Sequence, residues 1–573
     1  AGRRSIILWN PSIILPRRGR VPTNEIDALS IHSQRLSLIL FVKEWWIAIA
    51  CSFATYGFLL TAQPPMDSAE SAYFFLLPAM AWFSFKPGFR KVAITFFFAG
   101  WLYHLTLIGW IRHVTLPGMI CAAFLMSLYN LPWFLLARRL IPQAMNGGFG
   151  TRILTMVGLS ALWVVIEWAR CQFTLGFPWC PLSVTQWERA AILQILPWTG
   201  AWGVSFFLVF FNLSLASYVH HLLVRRRRLK GGRLASFCPD FYVSIALFVL
   251  LLSPFFLFKS PPLSESEQRS LKVGVCQPYL LDKWREGEVA RHKEILKKQT
   301  NFVSLMNPDL IVWPEASTPY ALNLDPLWVE ELSRTNGVPM LVGAVVKEEE
   351  FSFNTISKVS PMEGVSPEWY AKRVLVPFGE YVPFPFKWIP GLRKLVGPVG
   401  SFGEGDVPFT FDLNSAGSDR GSFRVGPLIC YEDIFPEIVR ETVREGVDFL
   451  FVSTNDAWFG EEGCAEQHAA HSVMRAVENS IPVLRCGNAG WSGWIDQRGH
   501  QRDVLEDENG SIYFQAASTF EVRLSSNEGS SRKGYPDYFI WFCFGYTAWM
   551  FARIGKVPFC GEIIVVQSDN TRQ

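Results

Sequence analysis

Glu315, Lys372 and Cys430 share one context: each is a reactive side chain directly after a β-like run. Glu315 ends Leu310-Ile311-Val312-Trp313-Pro314-Glu315. Lys372 follows Tyr370-Ala371 and leads into Val374-Leu375-Val376-Pro377-Phe378-Gly379-Glu380. Cys430 ends Val425-Gly426-Pro427-Leu428-Ile429-Cys430 and is followed by Tyr431-Glu432. Brought together, a Cys, a Lys and a Glu make a nucleophilic acyl-transfer site. The ammonium lowers the thiol pKa and stabilises an oxyanion, while the carboxylate shuttles the proton. Spacing alone leaves other readings open. Cys430 also fits a buried inert thiol, and Glu315 with Lys372 fits a structural ion pair. Cys464 and Cys486 are competing thiols, although neither precedes Tyr-Glu. His468 and His471 lie three apart on an expected helix with no third ligand evident, and read as helix-surface residues. No cluster has metal-ligand spacing.

The elements that must position these residues divide the chain in two kinds. Only 18% of its 573 residues are charged, against roughly 25% in a typical soluble protein. Half are hydrophobic, with 47 Phe and 23 Trp. This excludes a disordered chain, a coiled coil and an ordinary cytosolic enzyme. A net charge of +3 is too small for nucleic-acid binding through a general basic field. Eleven scattered cysteines give neither a disulfide framework nor a zinc knuckle. The composition is that of a membrane protein.

The apolar residues fall in blocks: Trp45–Ala62, Ala72–Phe85, Val92–Ile111, Leu116–Ala137, Ile153–Ala169, Ala201–Val219, Phe241–Phe258 and Tyr538–Ala552. About eight spans are expected, several reaching the ~20 residues of a bilayer crossing only with their flanks. Ala72–Phe85, short and containing Pro78, fits a re-entrant or broken segment. Basic residues alternate between the loops, strongest at Arg225–Arg228 with Lys230 and Arg233. That asymmetry predicts a cytoplasmic N-terminus and a large segment outside after the seventh span. The expected domains are a cytoplasmic extension (1–40), a seven-span bundle (41–259), a catalytic domain (260–535), and a final span with a cytoplasmic tail (536–573). The first 35 residues do not read as a cleavable signal peptide. Residues 260–535 alternate strand-like runs, such as Leu271–Cys276, Leu310–Trp313 and Phe449–Ser453, with helical patterns at Glu288–Leu305 and Gln467–Asn479. An α/β layered domain with functional residues at strand ends is expected. Pro427 predicts that the Cys430 strand is an edge strand or loses a ladder bond there.

Trp-Pro-Glu (313–315), Lys372 with Leu-Val-Pro-Phe-Gly-Glu-Tyr-Val-Pro (375–383) and Ile-Cys-Tyr-Glu (429–432) stand in the order of the carbon–nitrogen hydrolase, or nitrilase, superfamily, which the segment resembles. Ser-Thr-Asn-Asp-Ala-Trp-Phe-Gly (453–460) and Arg-Cys-Gly-Asn-Ala-Gly-Trp-Ser-Gly (485–493) continue the likeness. A nitrilase-like domain between seven spans and a final one resembles the apolipoprotein N-acyltransferase family, as does Gly-Phe-Pro-Trp at 176–179. The resemblance implies a polytopic α-helical membrane protein carrying an extracytoplasmic α-β-β-α nitrilase-like sandwich. It implies Cys430 as nucleophile, Glu315 as general base and Lys372 as the oxyanion-stabilising cation, with the Tyr431 backbone N–H as a second donor. Glu380 and Glu432 would support the site, and Tyr431 and Trp458 would line it. The resemblance also implies that no metal or organic cofactor is needed. Glu380 also fits a loop-ordering role, and Trp458 simple packing.

The implied partners are a phospholipid acyl donor, phosphatidylethanolamine, and a diacylglyceryl apolipoprotein acceptor at a bacterial inner membrane. The catalytic domain would be periplasmic, the protein a monomer, and no nucleic acid would be bound. The rival in chemistry is a membrane-tethered amidase acting on a small carbon–nitrogen substrate. The rival in class is a transporter, against which stand the few ionisable residues in the spans beyond Glu167. Trp388, Ile389 and Pro390, and Trp458 with Phe459, are read either as core or belt residues or as a lipid-facing entrance that excludes water.

Overall fold

The computed structural model describes residues 45–173, 176–225, 237–257, 269–281, 287–349, 351–382, 388, 402–414, 421–524 and 537–554. The extension 1–40, most of the basic 225–233 loop, and Ile389 and Pro390 lie outside them. Residues from Cys51 onward form one compact unit, apart from the first fifty.

Among the described residues, five helices are long and apolar enough to cross a membrane. They are α1 (Trp45–Ala62), α4 (Leu116–Asn146), α5 (Phe149–Gln172), α6 (Ala201–His220, its apolar run continuing to Val224) and α7 (Pro239–Leu257). Two further apolar helices, α3 (Phe89–Leu107) and α12 (Tyr538–Ile554), have 19 and 17 residues. The expected span at Ala72–Phe85 is broken: a 3₁₀ turn (Ala69–Tyr73) precedes the seven-residue α2 (Leu77–Phe83), with Pro78 in its first turn. The backbone groups freed at the break are met by Asn212 of α6. Its Oδ1 accepts from Leu76 N at 2.9 Å, and its Nδ2 donates to Ala72 O at 2.8 Å. Irregular backbone inside a bundle persists only where neighbours satisfy it in this way.

The helices α5 and α7 begin earlier than the apolar runs suggest. They thereby bring Arg152 and Asp240 into the bundle, where Arg152 donates to both Asp240 oxygens and Ser217 Oγ to one of them. Arg152 is therefore a buried ion-pair partner rather than a loop charge. The spans also hold buried His104 and Arg170, so they are richer in ionisable groups than the expectation of little beyond Glu167.

Among the described residues from 270 to 523 the strands form two sheets. The first has order β13-β1-β2-β3-β4-β5 with β6 pairing β4. Its strands are β1 (Ser270–Gln277), β2 (Leu310–Trp313), β3 (Met340–Glu348), β4 (Phe351–Ser360), β5 (Gly364–Ala371), β6 (Phe402–Gly403) and β13 (Ala516–Arg523). The second has order β12-β11-β10-β9-β8-β7, with β7 (Phe411–Asn414), β8 (Ser422–Ile429), β9 (Phe449–Thr454), β10 (Val483–Gly487), β11 (Gly493–Ile495) and β12 (Gln501–Arg502).

Side chains alternate across each strand. Leu271, Val273, Val275, Leu310 and Val312 share one core with Val425, Phe449, Phe451 and Leu484 of the facing sheet. The intervening Cys276, Ile311 and Trp313 pack outward with Leu296, Val303, Val329 and Leu332 of α8 (Val289–Ser304) and α9 (Leu327–Asn336). On the second sheet's outer side lie α10 (Pro436–Arg444) and α11 (Cys464–Asn479). These four layers are the α-β-β-α nitrilase-like sandwich. Strands buried on both faces read as unbroken apolar runs, which is why they were legible in the sequence.

Gln467 on α11 joins the sandwich to the bundle. Its Oε1 accepts from Trp110 Nε1 (3.0 Å) and Trp179 Nε1 (2.7 Å), and its Nε2 donates to Pro64 O and Leu107 O. Farther along α11, Glu478 accepts the first N–H of α6, from Ala201, at 2.7 Å. Gln467→Leu would strand two indole N–H groups and two carbonyls in a buried seam. We expect a stability loss on the order of 3 kcal/mol, read as a lowered unfolding midpoint in detergent micelles. An unchanged midpoint would contradict this account of the seam.

Candidate active site

Strand ends deliver the three reactive residues to one place. Glu315 stands two residues past β2, Lys372 directly after β5, and Cys430 directly after β8. All three are more than nine-tenths buried. Lys372 Nζ lies 3.2 Å from Glu315 Oε1 and 3.0 Å from Glu380 Oε1. Asn354 of β4, not singled out in the sequence, donates to the same two oxygens at 2.6 and 3.1 Å. Its carbonyl accepts from Lys372 N at 2.9 Å, which ties the lysine to the β4–β5 ladder. Glu380 Oε2 accepts from Val376 N. One ammonium thus faces two carboxyl groups.

Burial works against the Lys372 ammonium, but Glu315 and Glu380 outweigh it and raise its pKa well above the ordinary lysine range. The Cys430 thiol moves up as well, and here the sequence expectation needs correcting. Lys372 does pull it down as expected, but burial first and the Glu315 charge second overcome that pull. The resting thiol is therefore neutral and needs a base.

Cys430 adopts φ +50°, the left-handed region, at the start of the 3₁₀ turn Cys430–Ile434. A non-glycine residue held there marks a constrained elbow. Glu432 holds it. Oε2 accepts from Ile429 N (2.6 Å) and Tyr370 OH (2.7 Å), and Oε1 from Arg373 N and Val374 N. One carboxylate thereby ties the Cys430 turn to the segment carrying Lys372. The Tyr431 hydroxyl donates to Gly176 O, on the Gly-Phe-Pro-Trp loop of the bundle, at 3.2 Å. The strand β8 is interior rather than an edge: it pairs with β9 through Ile429. Its pairing with β7 stops at Val425, before Pro427, so the missing N–H breaks no ladder there.

Trp458 is 43% exposed on the Asp456–Phe459 turn, and Phe459 packs edge-on against Trp110. Trp388 is exposed. Cys464 and Cys486 are buried. His468 and His471 are not helix-surface residues; both are buried on α11. His471 Nε2 accepts from Cys180 N at 3.2 Å. His468 Nδ1 meets Asp456 Oδ1 at 2.9 Å, and Nε2 meets Asp433 Oδ1 at 2.9 Å and the Cys430 carbonyl at 3.1 Å. A helix face turned toward two acidic turns carries no periodic signature, so sequence reasoning missed it. Donor atoms of Cys430, Asp456 and His468 lie within 4.8 Å of one another. Both ring nitrogens of His468 are engaged with oxygen acceptors, so neither offers a free lone pair to a metal ion.

Glu432→Gln would keep one acceptor oxygen but turn an NH₂ toward backbone donors. Burial pushes the Glu432 carboxyl up, and the donors Ile429 N, Tyr370 OH and Arg373 N with the Lys372 charge only partly counter it. We expect the substitution to cost on the order of 3 kcal/mol and to lower the thermal midpoint in micelles. A midpoint equal to the parent's would show that the elbow does not depend on these bonds.

Residues 56–214 match the family described as Apolipoprotein N-acyltransferase N-terminal domain, and residues 272–520 match Carbon-nitrogen hydrolase. Apolipoprotein N-acyltransferase of Geobacter metallireducens is 32% identical over 401 residues, covering 68% of this chain and 72% of that protein. Apolipoprotein N-acyltransferase 1 of Treponema denticola is 28% identical over 380 residues, covering 60% and 67%. Among solved structures, an amidase from Nesterenkonia sp. aligns with a TM-score of 0.35 at 16% identity, covering 49% of this chain and 96% of that one. The two matched regions, with the bundle and sandwich they cover, are those of one family: the chain belongs to the apolipoprotein N-acyltransferases.

Proposed function

We propose that this membrane enzyme moves an acyl chain from a phospholipid to Cys430 and then to the α-amino group of a diacylglyceryl-cysteine at an apolipoprotein N-terminus. The observation that carries this reading is the meeting of Glu315, Lys372 and Cys430 in one buried site, directly against the membrane bundle. Both substrates are confined to the bilayer, and a site anchored there turns their encounter into a local one.

In the first step Glu315 takes the proton of the neutral Cys430 thiol as sulfur attacks the ester carbonyl. The S–C bond forms and the carbonyl electron pair moves onto oxygen, beside the Lys372 ammonium and the Tyr431 backbone N–H. Collapse breaks the bond to the glycerol oxygen, which takes the proton from Glu315 and leaves as a lysophospholipid. In the second step Glu315 deprotonates the acceptor amine. Nitrogen attacks the thioester carbon, the C–S bond breaks, and the departing sulfur takes the proton from Glu315 to restore the thiol. An amine that arrives as a cation first gives its extra proton to water. Two carboxyl groups facing one ammonium give the site surplus acidic character, which suits an amine approaching as a cation. Glu380 holds Lys372, Glu432 holds the elbow, and Tyr431 and Trp458 line the approach.

Phosphatidylethanolamine is the proposed donor. The proposed topology has residues 41–259 as the bundle and 260–535 as a periplasmic catalytic domain at the inner membrane. Residues 536–573 would supply the last span and tail, and the enzyme would work as a monomer. An amidase needs water at the thioester, and Trp458 on its exposed turn is suited to disfavour it.

The test uses full-length enzyme in mixed micelles with acyl-labelled phosphatidylethanolamine, read by mass spectrometry. The label should appear as a thioester on Cys430 and pass to a diacylglyceryl peptide, and Cys430→Ala should abolish both. Label retained in Cys430→Ala on Cys464 or Cys486 would overturn the assignment, and thioester lost only to water would favour the amidase.

A further inference from the structure

His468 lies beside the nucleophile and takes no part in the acyl-transfer steps above. Its three ring partners, Asp456, Asp433 and the Cys430 carbonyl, are all oxygen acceptors at 2.9–3.1 Å. Each nitrogen must therefore carry a hydrogen, and the ring is an imidazolium. The far oxygen of Asp433 accepts from Ser472 Oγ and Arg485 Nη1, and Arg485 Nη2 lies 4.0 Å from Asp456 Oδ2. Two carboxylates, one imidazolium and one guanidinium thus form a buried set of zero net charge directly under the nucleophile turn. Burying charge without such matching is costly.

We propose that His468 is a positioning residue for the oxyanion donor: by binding the Cys430 carbonyl it fixes the peptide unit whose N–H belongs to Tyr431. A trans peptide is planar, with its C=O and N–H pointing opposite ways. Holding the carbonyl toward His468 therefore sets the direction of the Tyr431 N–H. The hold has work to do, because Cys430 stands at φ +50°, where a non-glycine residue relaxes unless it is constrained. A cationic donor is about twice as strong as a neutral one, and it polarises the peptide so that the N–H becomes a better donor. The Trp179 ring, 5.8 Å from the imidazole, covers it from the bundle side. The hold is standing, but the N–H it aims affects a rate only when negative charge develops on the substrate oxygen.

That restriction separates positioning from folding. Alkylation of Cys430 by iodoacetamide forms an S–C bond and expels iodide without making an oxyanion, whereas acyl loading makes one. The inference rests on Cys430 being the acylated thiol, so both rates are measured on Cys430 of the full-length enzyme, with labelled phosphatidylethanolamine and with iodoacetamide. In His468→Gln, acyl loading should fall about 10- to 100-fold with KM for the phospholipid unchanged, while alkylation stays within about twofold of the parent. An equal fall in both rates, or no fall in loading, would overturn the inference while leaving the nucleophile assignment intact. Acyl label absent from Cys430 in the parent enzyme would overturn the assignment itself, and this inference with it.

The parent enzyme supplies a second arm that needs no variant to fold. Burial opposes the imidazolium, but Asp433 and then Asp456 outweigh both burial and Arg485, and lift His468 to about 9. The other groups facing it are neutral: the Cys430 thiol, raised well above its ordinary value by burial and then by Glu315; His471, held well below its ordinary value by burial; and Ser472. The charged hold is therefore complete below pH 6.5 and is lost as pH rises through about 9. Glu315 takes the Cys430 proton in both reactions, so dividing the loading rate by the alkylation rate cancels that step, and Lys372 keeps its proton above this range. The ratio should fall several-fold between pH 8 and 10. A flat ratio over that window would overturn the inference.

Discussion

An ammonium removed from water must be matched by negative charge, and Lys372, at 1% exposure, is the cation around which this site is built. Glu315 comes to it from the end of β2, Glu380 from the loop after β5, and Asn354 from β4 ties the two carboxyl groups together. Removing either acid would leave a buried charge short of a partner, so the positions of three strand ends are set by one electrostatic requirement. The same requirement shapes the nucleophile. Burial first, and the Glu315 charge second, hold the Cys430 thiol protonated against the pull of Lys372. On the proposed mechanism the thiolate forms only as the substrate is attacked.

A second buried set of charges supports the other wall of the site. Asp433, Asp456, His468 and Arg485 sit below the Cys430 turn, while Glu432 collects four donors above it. Both sets lie next to α11, whose Gln467 and Glu478 bind segments of the membrane bundle. The helix that contacts the Cys430 turn through His468 is thus also the helix that seats the sandwich on the bundle. Bringing a lipid-borne carbonyl to a thiol requires both placements to be accurate at once.

Much of this was legible in the sequence, and the reason is physical. Strands buried on both faces, such as Leu310–Trp313 and Phe449–Thr454, show as unbroken apolar runs, and reactive residues follow their ends directly. The motifs around Glu315, Lys372 and Cys430 were local and readable for that reason. What was not legible depends on side chains meeting across distant segments. Asn354 looks like any polar strand residue until β4 is placed beside Glu315 and Glu380. His468 looks like a helix-surface residue until two acidic turns close over it. The thiol's shift was misjudged because sequence shows the lysine next in the motif order but not the burial that outweighs it. The broken second span was visible in Pro78, but the Asn212 side chain that makes the break tolerable lies on another helix.

The account turns on Lys372 stabilising charge that develops during acyl loading rather than merely filling a structural role. The most direct measurement is the single-turnover rate of thioester formation in Lys372→Met, with phospholipid affinity measured alongside. The account predicts a loss of about 10²- to 10³-fold or more in the rate, with KM for the phospholipid little changed. Loading within a few-fold of the parent enzyme, in a folded Lys372→Met protein, would contradict it.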